Sequence, residues 1–470
     1  MKLNRPIIYI ILFALAILLF NIFSYRTGFV DSAEYINVAK ALAGLMNTNV
    51  FMMHSIVYSL FLAMFLKILP YLLTLKLANA AWLVLDAILL YKITPNNKAL
   101  FIWIFSPIVY YSATWINQFM PISFLFLLSY YYLKKYEADN KTFHLALSAL
   151  SLGLIISIRV QMIIILSIFL LIFLYNKPLK TTIYYILFTI PTASILLLVD
   201  YYYFNMPFYT TISFFGSVFL DQSRKSFFGY PEWMLFPFII SPLTFLLYKL
   251  NFKQHKREII FLISFVVTMF VIQLRFFLAV APFVAYLLSK IMTKKQLITN
   301  TLISIVLISV ITYPYFLKDT EEQRVIQDLN AIKAEINPAV AVVTNGGAYS
   351  FPALPTSYWN ELGPRYIWSR DLELYLKGTP EYRNVEFNSN PRLDGDKIVK
   401  IIFSASSNKD PLLTKDFLAT NPYFILNKKE FKYDYSTRQL TIVWRGELLI
   451  DNVDLVKCYQ ELCVFRKAVI

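Results

Sequence analysis

The sequence predicts an α-helical polytopic membrane protein that carries a soluble domain at its C-terminal end. Hydrophobic residues make up 58% of the 470 residues, whereas a soluble globular domain averages about 45–50%. The excess lies in residues 1–317, where apolar runs of roughly 15–20 residues alternate with short polar loops. We therefore predict a transmembrane domain over residues 1–317 and an extracytoplasmic α/β or α+β domain over residues 318–470.

The apolar runs predict about eleven transmembrane helices. Several are shorter than the roughly 20 residues that a straight helix needs to cross a bilayer. No small-residue cleavage site follows the first run, which favours a retained span over a signal peptide. The predicted spans are Pro6–Phe23, Leu75–Tyr91, Ala99–Ser112, Pro121–Leu133, Phe143–Ile158, Val160–Tyr175, Thr181–Tyr201, Glu232–Tyr248, Ile259–Gln273, Phe276–Ile291 and Leu297–Phe316.

The basic residues of the loops set the predicted orientation, because lysine and arginine concentrate in cytoplasmic loops. We place the N-terminus in the cytoplasm and lay His54–Pro70 along the outer surface as an interfacial helix. Sixteen lysines and arginines then fall inside, and eight fall in the outside connections. If His54–Pro70 crossed, this bias would largely reverse. The net charge of +15 therefore reports topology in the cell membrane, and we expect no nucleic-acid partner.

The first outer loop carries two acids close to the end of the first span. Asp31 and Glu34 stand in the segment Asp31-Ser-Ala-Glu34-Tyr35, where a helix over Ser32–Leu45 is predicted to begin. One interpretation is an N-terminal capping box. The other is a functional carboxylate, because acids beside a membrane span are costly and can serve as general base, metal ligand or proton relay. These residues alone leave both interpretations open.

Two isolated arginines interrupt the apolar runs. Arg159 and Arg275 both fall at outer ends of predicted spans, on the side that holds Asp31 and His54. The rigid guanidinium fork suits phosphate. The alternative is that both side chains reach out to lipid head groups. One carboxylate, one imidazole and two guanidiniums on the same face favour a functional site.

The C-terminal residues read as a mixed soluble domain. Helical spacing extends over Glu321–Ile336 and ends at Asn337-Pro338. Cys458 and Cys463 do not make a zinc site by themselves, and they either pair outside the cell or stay as buried thiols. The predicted strands are Ala339–Thr344, Lys397–Phe403, Tyr423–Leu426, Thr441–Trp444 and Leu455–Phe465.

The order of these features resembles the GT-C superfamily of integral membrane glycosyltransferases, which includes protein mannosyltransferases, aminoarabinose transferases and oligosaccharyltransferase catalytic subunits. The likeness covers about the first 315 residues. The segments that carry it are Asp31-Ser-Ala-Glu34-Tyr35, His54-Ser-Ile-Val-Tyr58, Trp115-Ile-Asn117-Gln118-Phe-Met120-Pro121, Leu152-Gly153 to Arg159, and Arg275-Phe-Phe-Leu-Ala-Val-Ala-Pro282. The sequence departs from the family at Ser55-Ile56, which replaces two prolines, and at Met120, where many relatives have a second acid.

The resemblance implies a glycosyltransferase whose donor is a polyprenyl-phosphate-linked sugar from the membrane lipid. It implies an unknown glycan, lipid or protein acceptor, and inverting single displacement. The implied catalytic carboxylates are Asp31, as base, and Glu34. The implied ligands of the donor phosphate are His54, Arg159 and Arg275. The implied substrate contacts are Tyr35, Asn117 and Gln118. Since Met120 replaces an acid, we assign no metal ligand and expect no cofactor, while a divalent metal stays open.

Two other classes of protein fit part of the pattern. A transporter or a flippase for lipid-linked sugars would also place polar groups at span ends. Such transporters usually show paired repeats or a charge cluster near the middle of the membrane, and the sequence shows neither clearly, since Asp86 is the only acid well inside a predicted span. A non-catalytic scaffold that displays the outer domain is the third class.

Overall fold

The computed structural model describes residues 5–24, 30–44, 55–94, 97–175, 177–204, 207–211, 238–269, 274–317, several positions within 324–335, and 341–344, 366–368, 423–428, 431–443, 447–450 and 452–467. The chain divides into two compact units. Unit 1 comprises Met1–Ser24, His54–Tyr202 and Lys225–Phe316. Unit 2 comprises Tyr25–Met53, Tyr203–Arg224 and Leu317–Ile470. The domain boundary at residue 317 stays a prediction.

The described part of unit 1 is helical, as the apolar runs predicted. Four short 3₁₀ helices, at Val160–Met162, Thr244–Lys249, Leu274–Val280 and Tyr313–Phe316, adjoin its α-helices. In chain order, and with α2 belonging to unit 2, the α-helices are α1 (Arg5–Phe23), α2 (Val30–Leu42), α3 (Ile56–Ile68), α4 (Leu72–Ile93), α5 (Asn97–Ile104), α6 (Pro107–Ala113), α7 (Phe119–Asp139), α8 (Thr142–Ile158), α9 (Ile163–Leu174), α10 (Leu179–Phe204), α11 (Phe252–Met269), α12 (Ala281–Ile291) and α13 (Lys294–Thr312).

Several helices of the described chain are long and apolar enough to cross a membrane. By length and composition these are Arg5–Phe23, Leu73–Ile93, Leu179–Tyr203 and Lys294–Phe316. Most side chains of α10 and α13 are not buried by protein, and large apolar residues such as Leu198 and Val310 point outward. A helix that is apolar on its exposed side is typical of a lipid-facing span. The chain is therefore a multi-pass membrane protein, while eleven spans remain a prediction.

Proline breaks one predicted span into two helices, so the prediction of a single helix over Ala99–Ser112 is wrong. Helix α5 ends at Ile104 and α6 begins at Pro107. Proline has no N–H for the helical ladder and its ring clashes with the preceding turn. The Trp103 carbonyl, which residue 107 would bond in a continuous helix, accepts instead from the Ser106 N–H at 3.0 Å. Buried partners of this kind make broken helices tolerable at membrane depth.

Other predicted boundaries shift where the first turn is a 3₁₀ turn. The span predicted over Val160–Tyr175 begins with such a turn and becomes α-helical at Ile163. The span over Phe276–Ile291 likewise becomes α-helical only at Ala281. Helix α11 begins before the predicted Ile259 and is kinked at His255.

A cluster of charged side chains joins α7, α11 and the connection after α9. Glu137 on α7 accepts from Arg257 at 2.7 Å and lies 3.4 Å from both Lys134 and Lys177. Glu258 accepts from the Tyr130 hydroxyl at 2.8 Å. This cluster lies at the C-terminal end of α7, which we predict to face the cytoplasm.

The described residues of unit 2 form two sheets, which confirms a mixed C-terminal fold. A mixed sheet has the order β2-β1-β3-β8-β7, with β1 parallel to β2 and β3. A separate antiparallel sheet has the order β4-β5-β6. The strands are β1 (Ala341–Thr344), β2 (Tyr366–Trp368), β3 (Tyr423–Asn427), β4 (Phe431–Asp434), β5 (Gln439–Val443), β6 (Glu447–Ile450), β7 (Val453–Cys458) and β8 (Leu462–Lys467).

The single strand predicted over Leu455–Phe465 is wrong, because the chain turns back on itself there. Strands β7 and β8 form an antiparallel hairpin, and a disulfide joins Cys458 to Cys463 across it. The Asp328 carboxylate accepts three backbone N–H groups of the turn, those of residues 460–462, at 2.6–3.1 Å. The predicted strand Lys397–Phe403 lies outside the described residues.

Candidate functional site

The predicted catalytic acids lie on α2, in unit 2. The helix begins at Val30, so Asp31 is in its first turn and the capping-box interpretation with Asp31 as N-cap is wrong. Asp31 and Glu34 are three residues apart in one helix and therefore share a face. Their side chains lie outside the described part of the chain. Tyr35, next to Glu34, is buried.

Arg159 lies at the end of α8, in unit 1. Its backbone is extended and its N–H closes the last turn of the helix on the Ile155 carbonyl at 2.8 Å. The side chain is only 8% exposed. The guanidinium carbon lies 4.7 Å from the ring centroid of Phe119, the first residue of α7. An arginine over an aromatic face is a cation–π contact, which fixes the plane of a buried cation at this end of the helices.

The loop between α6 and α7 places Asn117 two residues before Phe119, whose ring contacts this cation. The Asn117 Oδ1 atom accepts from the N–H of Phe119 at 2.9 Å. Its Nδ2 atom is buried and has no hydrogen-bond partner among the described residues. A buried unsatisfied donor costs about 1–3 kcal/mol, so the loop holds an amide donor that a ligand oxygen would satisfy. Gln118 is buried beside it.

Two residues to which the sequence analysis assigns no role, Tyr58 and Asn79, support the loop from behind. Asn79 on α4 is fully buried, and its Oδ1 atom accepts from the Tyr58 hydroxyl of α3 at 2.6 Å. Its Nδ2 atom donates to the Trp115 carbonyl and to Met120 Sδ, the latter at 3.0 Å. We call Tyr58, Asn79, Asn117, Phe119 and Arg159 the loop cluster. Tyr58 ends one of the segments that carry the family resemblance, but its partner is not predicted, and Asn79 shows no signal beyond being polar within an apolar run.

Ser55 explains one departure from the family pattern. It is the N-cap of α3 and accepts from the N–H of Val57 at 3.2 Å. Its hydroxyl also donates to the carbonyl of Ser157 at 2.5 Å. A serine in place of the first proline therefore ties the start of α3 to the end of α8, two residues before Arg159.

Lys76 is a second buried cation at the beginning of α4. It is 5% exposed, and its ammonium lies 3.4 Å from the carbonyl of Ser24, just past the end of α1. A cation at the C-terminal end of a helix is favoured by the helix dipole. Loop charge counting placed Lys76 on the outer side but did not indicate that its side chain is buried.

The remaining predicted site residues are described less fully. His54 lies outside the described residues, and Arg275 lies in a 3₁₀ helix whose side chain at that position is not described. Within the described part of the chain, no three side chains of His, Cys, Asp or Glu come together as a metal site would require. At the position of the family's second acid, Met120 is fully buried against Asn79.

Known structures share this fold, although comparison of sequences finds no relative. No protein-family model and no curated protein matches the chain. The structure of ArnT from Cupriavidus metallidurans bound to undecaprenyl phosphate matches with a TM-score of 0.55 and 9% identity over 98% of both chains. The apo structure of the same protein matches with a TM-score of 0.53 and 10% identity over 99% of both chains. The predicted resemblance is confirmed at the level of the fold.

Proposed function

We propose that this protein is a membrane glycosyltransferase that takes its sugar from a polyprenyl-phosphate-linked donor. The observation that carries the proposal is the buried guanidinium of Arg159 on the ring of Phe119, in a chain with the fold of a protein bound to undecaprenyl phosphate. A lipid phosphate can reach such a helix end sideways from the bilayer. The likeness spans the whole chain, which supports the same donor class here.

The cations would act on the leaving group. As the bond between the sugar and the phosphate breaks, negative charge grows on the phosphate oxygens. Fixed cations stabilise that charge more in the transition state than in the ground state. We assign this role to Arg159, Arg275 and His54, with Asn117 and Gln118 as contacts to the sugar phosphate.

Asp31 would act on the acceptor. It removes the proton from an acceptor hydroxyl as the oxygen attacks the anomeric carbon. One carboxylate and one attacking oxygen give a single displacement with inversion of configuration. Glu34 and Tyr35 on the same helix would orient the acceptor, and the proposal assigns no metal ion to the reaction. The N-terminus would be cytoplasmic and the C-terminal domain extracytoplasmic.

The proposal is tested by sugar transfer with purified protein. Wild type and Asp31→Asn are given a panel of radiolabelled polyprenyl-phosphate sugars, with and without EDTA. We expect turnover by the wild type, insensitivity to EDTA, and loss in the variant. Full activity of a folded Asp31→Asn protein would refute the role of Asp31. Tight binding of undecaprenyl phosphate without turnover of any donor would favour a flippase instead.

A further inference from the structure

Asn79 uses its whole carboxamide to hold three segments of unit 1 together. Its acceptor oxygen meets α3 through Tyr58, and its donors meet the loop at Trp115 and helix α7 at Met120. A leucine in this apolar helix would bury no polar group and would carry no desolvation cost. The Trp115 carbonyl lies in the loop between two helices and needs a hydrogen-bond donor. Asn79 supplies that donor and so holds the loop in one position.

Tyr58 extends the same network to the ligand side of the loop. The Tyr58 hydroxyl donates to Asn79. Its oxygen also accepts a hydrogen bond from the backbone of Asn117. The Asn117 Oδ1 atom is held in turn by the N–H of Phe119. With its backbone and its oxygen both fixed, the Asn117 Nδ2 atom is left as the buried donor without a partner in the described chain. The network therefore sets the direction in which that donor points.

We propose that Asn79 and Tyr58 are positioning residues that present Asn117 Nδ2 to an oxygen of the donor's sugar phosphate. Neither would touch the donor, and both would act through Asn117. This inference rests on the proposed function, since it assumes a lipid-linked sugar phosphate at the loop cluster. Misplacing a binding group by about 1 Å can cost on the order of 100-fold in rate, so the loop needs such support.

The test is a double-mutant cycle read by donor affinity. Undecaprenyl phosphate and a polyprenyl-phosphate sugar are titrated into wild type, Asn117→Ala, Tyr58→Phe, Asn79→Leu and the two doubles with Asn117→Ala. We expect each single variant to lose about 10- to 100-fold in affinity or in kcat/KM. Each double variant should be no worse than Asn117→Ala, because residues that act through one group are not additive. Tyr58→Phe removes one hydroxyl only and serves where Asn79→Leu does not fold.

The matched control is Tyr185→Phe. Tyr185 is also a buried tyrosine of unit 1, and its hydroxyl bonds Ser129 and Ser148 at 3.2 and 2.8 Å, between α7, α8 and α10. Tyr185→Phe should lower the melting temperature but leave donor affinity unchanged.

The two ligands distinguish the group that Asn117 contacts. If Asn117→Ala loses affinity for both ligands, Asn117 contacts the phosphate. If it loses affinity for the sugar-bearing ligand alone, Asn117 contacts the sugar.

Two results would overturn the inference. Additive losses in the doubles would mean that Asn79 and Tyr58 act independently of Asn117, as a merely structural role predicts. Unchanged affinity in Asn117→Ala, in a protein whose wild type binds and transfers, would refute the presented donor and leave the glycosyltransferase intact. A wild type that binds neither ligand would refute the proposed function itself.

Discussion

Arg159 is the residue on which the donor site depends most. Removing its charge while keeping a polar side chain, as in Arg159→Gln, should weaken binding of undecaprenyl phosphate by about 10- to 100-fold, since a charge-assisted hydrogen bond to phosphate is lost. Lysine keeps the charge but not the planar fork, so Arg159→Lys should lose less. The affinity is measured by titration in detergent.

A cation at the other end of the helices provides the control for Arg159. Lys135 is near the C-terminal end of α7 and its ammonium lies over the Tyr131 ring at 4.9 Å. Lys135→Gln should bind undecaprenyl phosphate as the wild type does. Equal affinity of Arg159→Gln and Lys135→Gln would argue against a phosphate site at the loop cluster.

The sequence predicts some of these residues and cannot predict others, for a physical reason. The sequence indicates Arg159 because a single guanidinium between two apolar runs is costly to place near a bilayer unless it has a function. The sequence does not predict the roles of Asn79 and Tyr58, because a single polar residue in an apolar helix does not indicate which distant segment supplies its partner. Loop charge counting places Lys76 among the outer basic residues. The burial of its side chain depends on packing against neighbouring helices, which no local sequence pattern indicates.

At the scale of elements, α8 and α10 pack closely against each other at Gly153. Gly153 faces Thr189 and Thr192 of α10, and a Cβ atom there would come within 2.9 Å of the backbone nitrogen of Ala193 and still closer to both threonines. Gly153→Ala should therefore force the helices apart and lower the free energy of unfolding by about 1–3 kcal/mol. Thermal melting in detergent measures the change.

Ser151 offers the comparison for this helix contact. It lies on α8 two residues earlier, and its hydroxyl bonds only the Leu147 carbonyl of its own helix, at 2.8 Å. Ser151→Ala should leave the melting temperature nearly unchanged, because a bond of this kind contributes little to a helix. A Gly153→Ala protein as stable as Ser151→Ala would contradict the close packing.

The charged cluster at the end of α7 makes helix packing depend on pH. Partial burial opposes ionisation of Glu137, but Lys134, Lys177 and Arg257 outweigh it and hold the pKa of Glu137 below its ordinary 4.5. A lowered pKa in the folded state gives stability that is present above the unfolded value and is lost as pH falls through the folded value. We expect Glu137→Gln to cost about 1–3 kcal/mol at pH 7 and progressively less below pH 4.5. Thermal melting of the wild type and Glu137→Gln at pH 7 and below pH 4.5 tests this. An equal loss of stability at both pH values would contradict it.

Helix boundaries show which elements the sequence could predict. Apolar periodicity and length located α1, α4, α8 and α10 closely, because each is an uninterrupted run. The break between α5 and α6 was missed, although Pro107 is a local signal, since hydrophobicity continues across it. The hairpin of β7 and β8 was missed because its turn contains no glycine or proline.

At the scale of the whole molecule, the disulfide offers a test of the predicted location of the C-terminal domain. Disulfides persist in oxidising compartments, so the Cys458–Cys463 pair agrees with the extracytoplasmic prediction. We expect both thiols to resist maleimide labelling in protein from cells until a reductant is added. Cys458→Ser with Cys463→Ser should cost unit 2 about 2 kcal/mol, because the closed loop is short. Full labelling without reductant would contradict the predicted topology.

An electron cryomicroscopy map of the protein with undecaprenyl phosphate would show directly whether a lipid phosphate binds at the loop cluster. We expect phosphate density within about 3 Å of the Arg159 guanidinium and of Asn117 Nδ2, with the polyprenyl chain extending into the bilayer. Density for the head group at the opposite end of α7, beside Lys134 and Arg257, would contradict it.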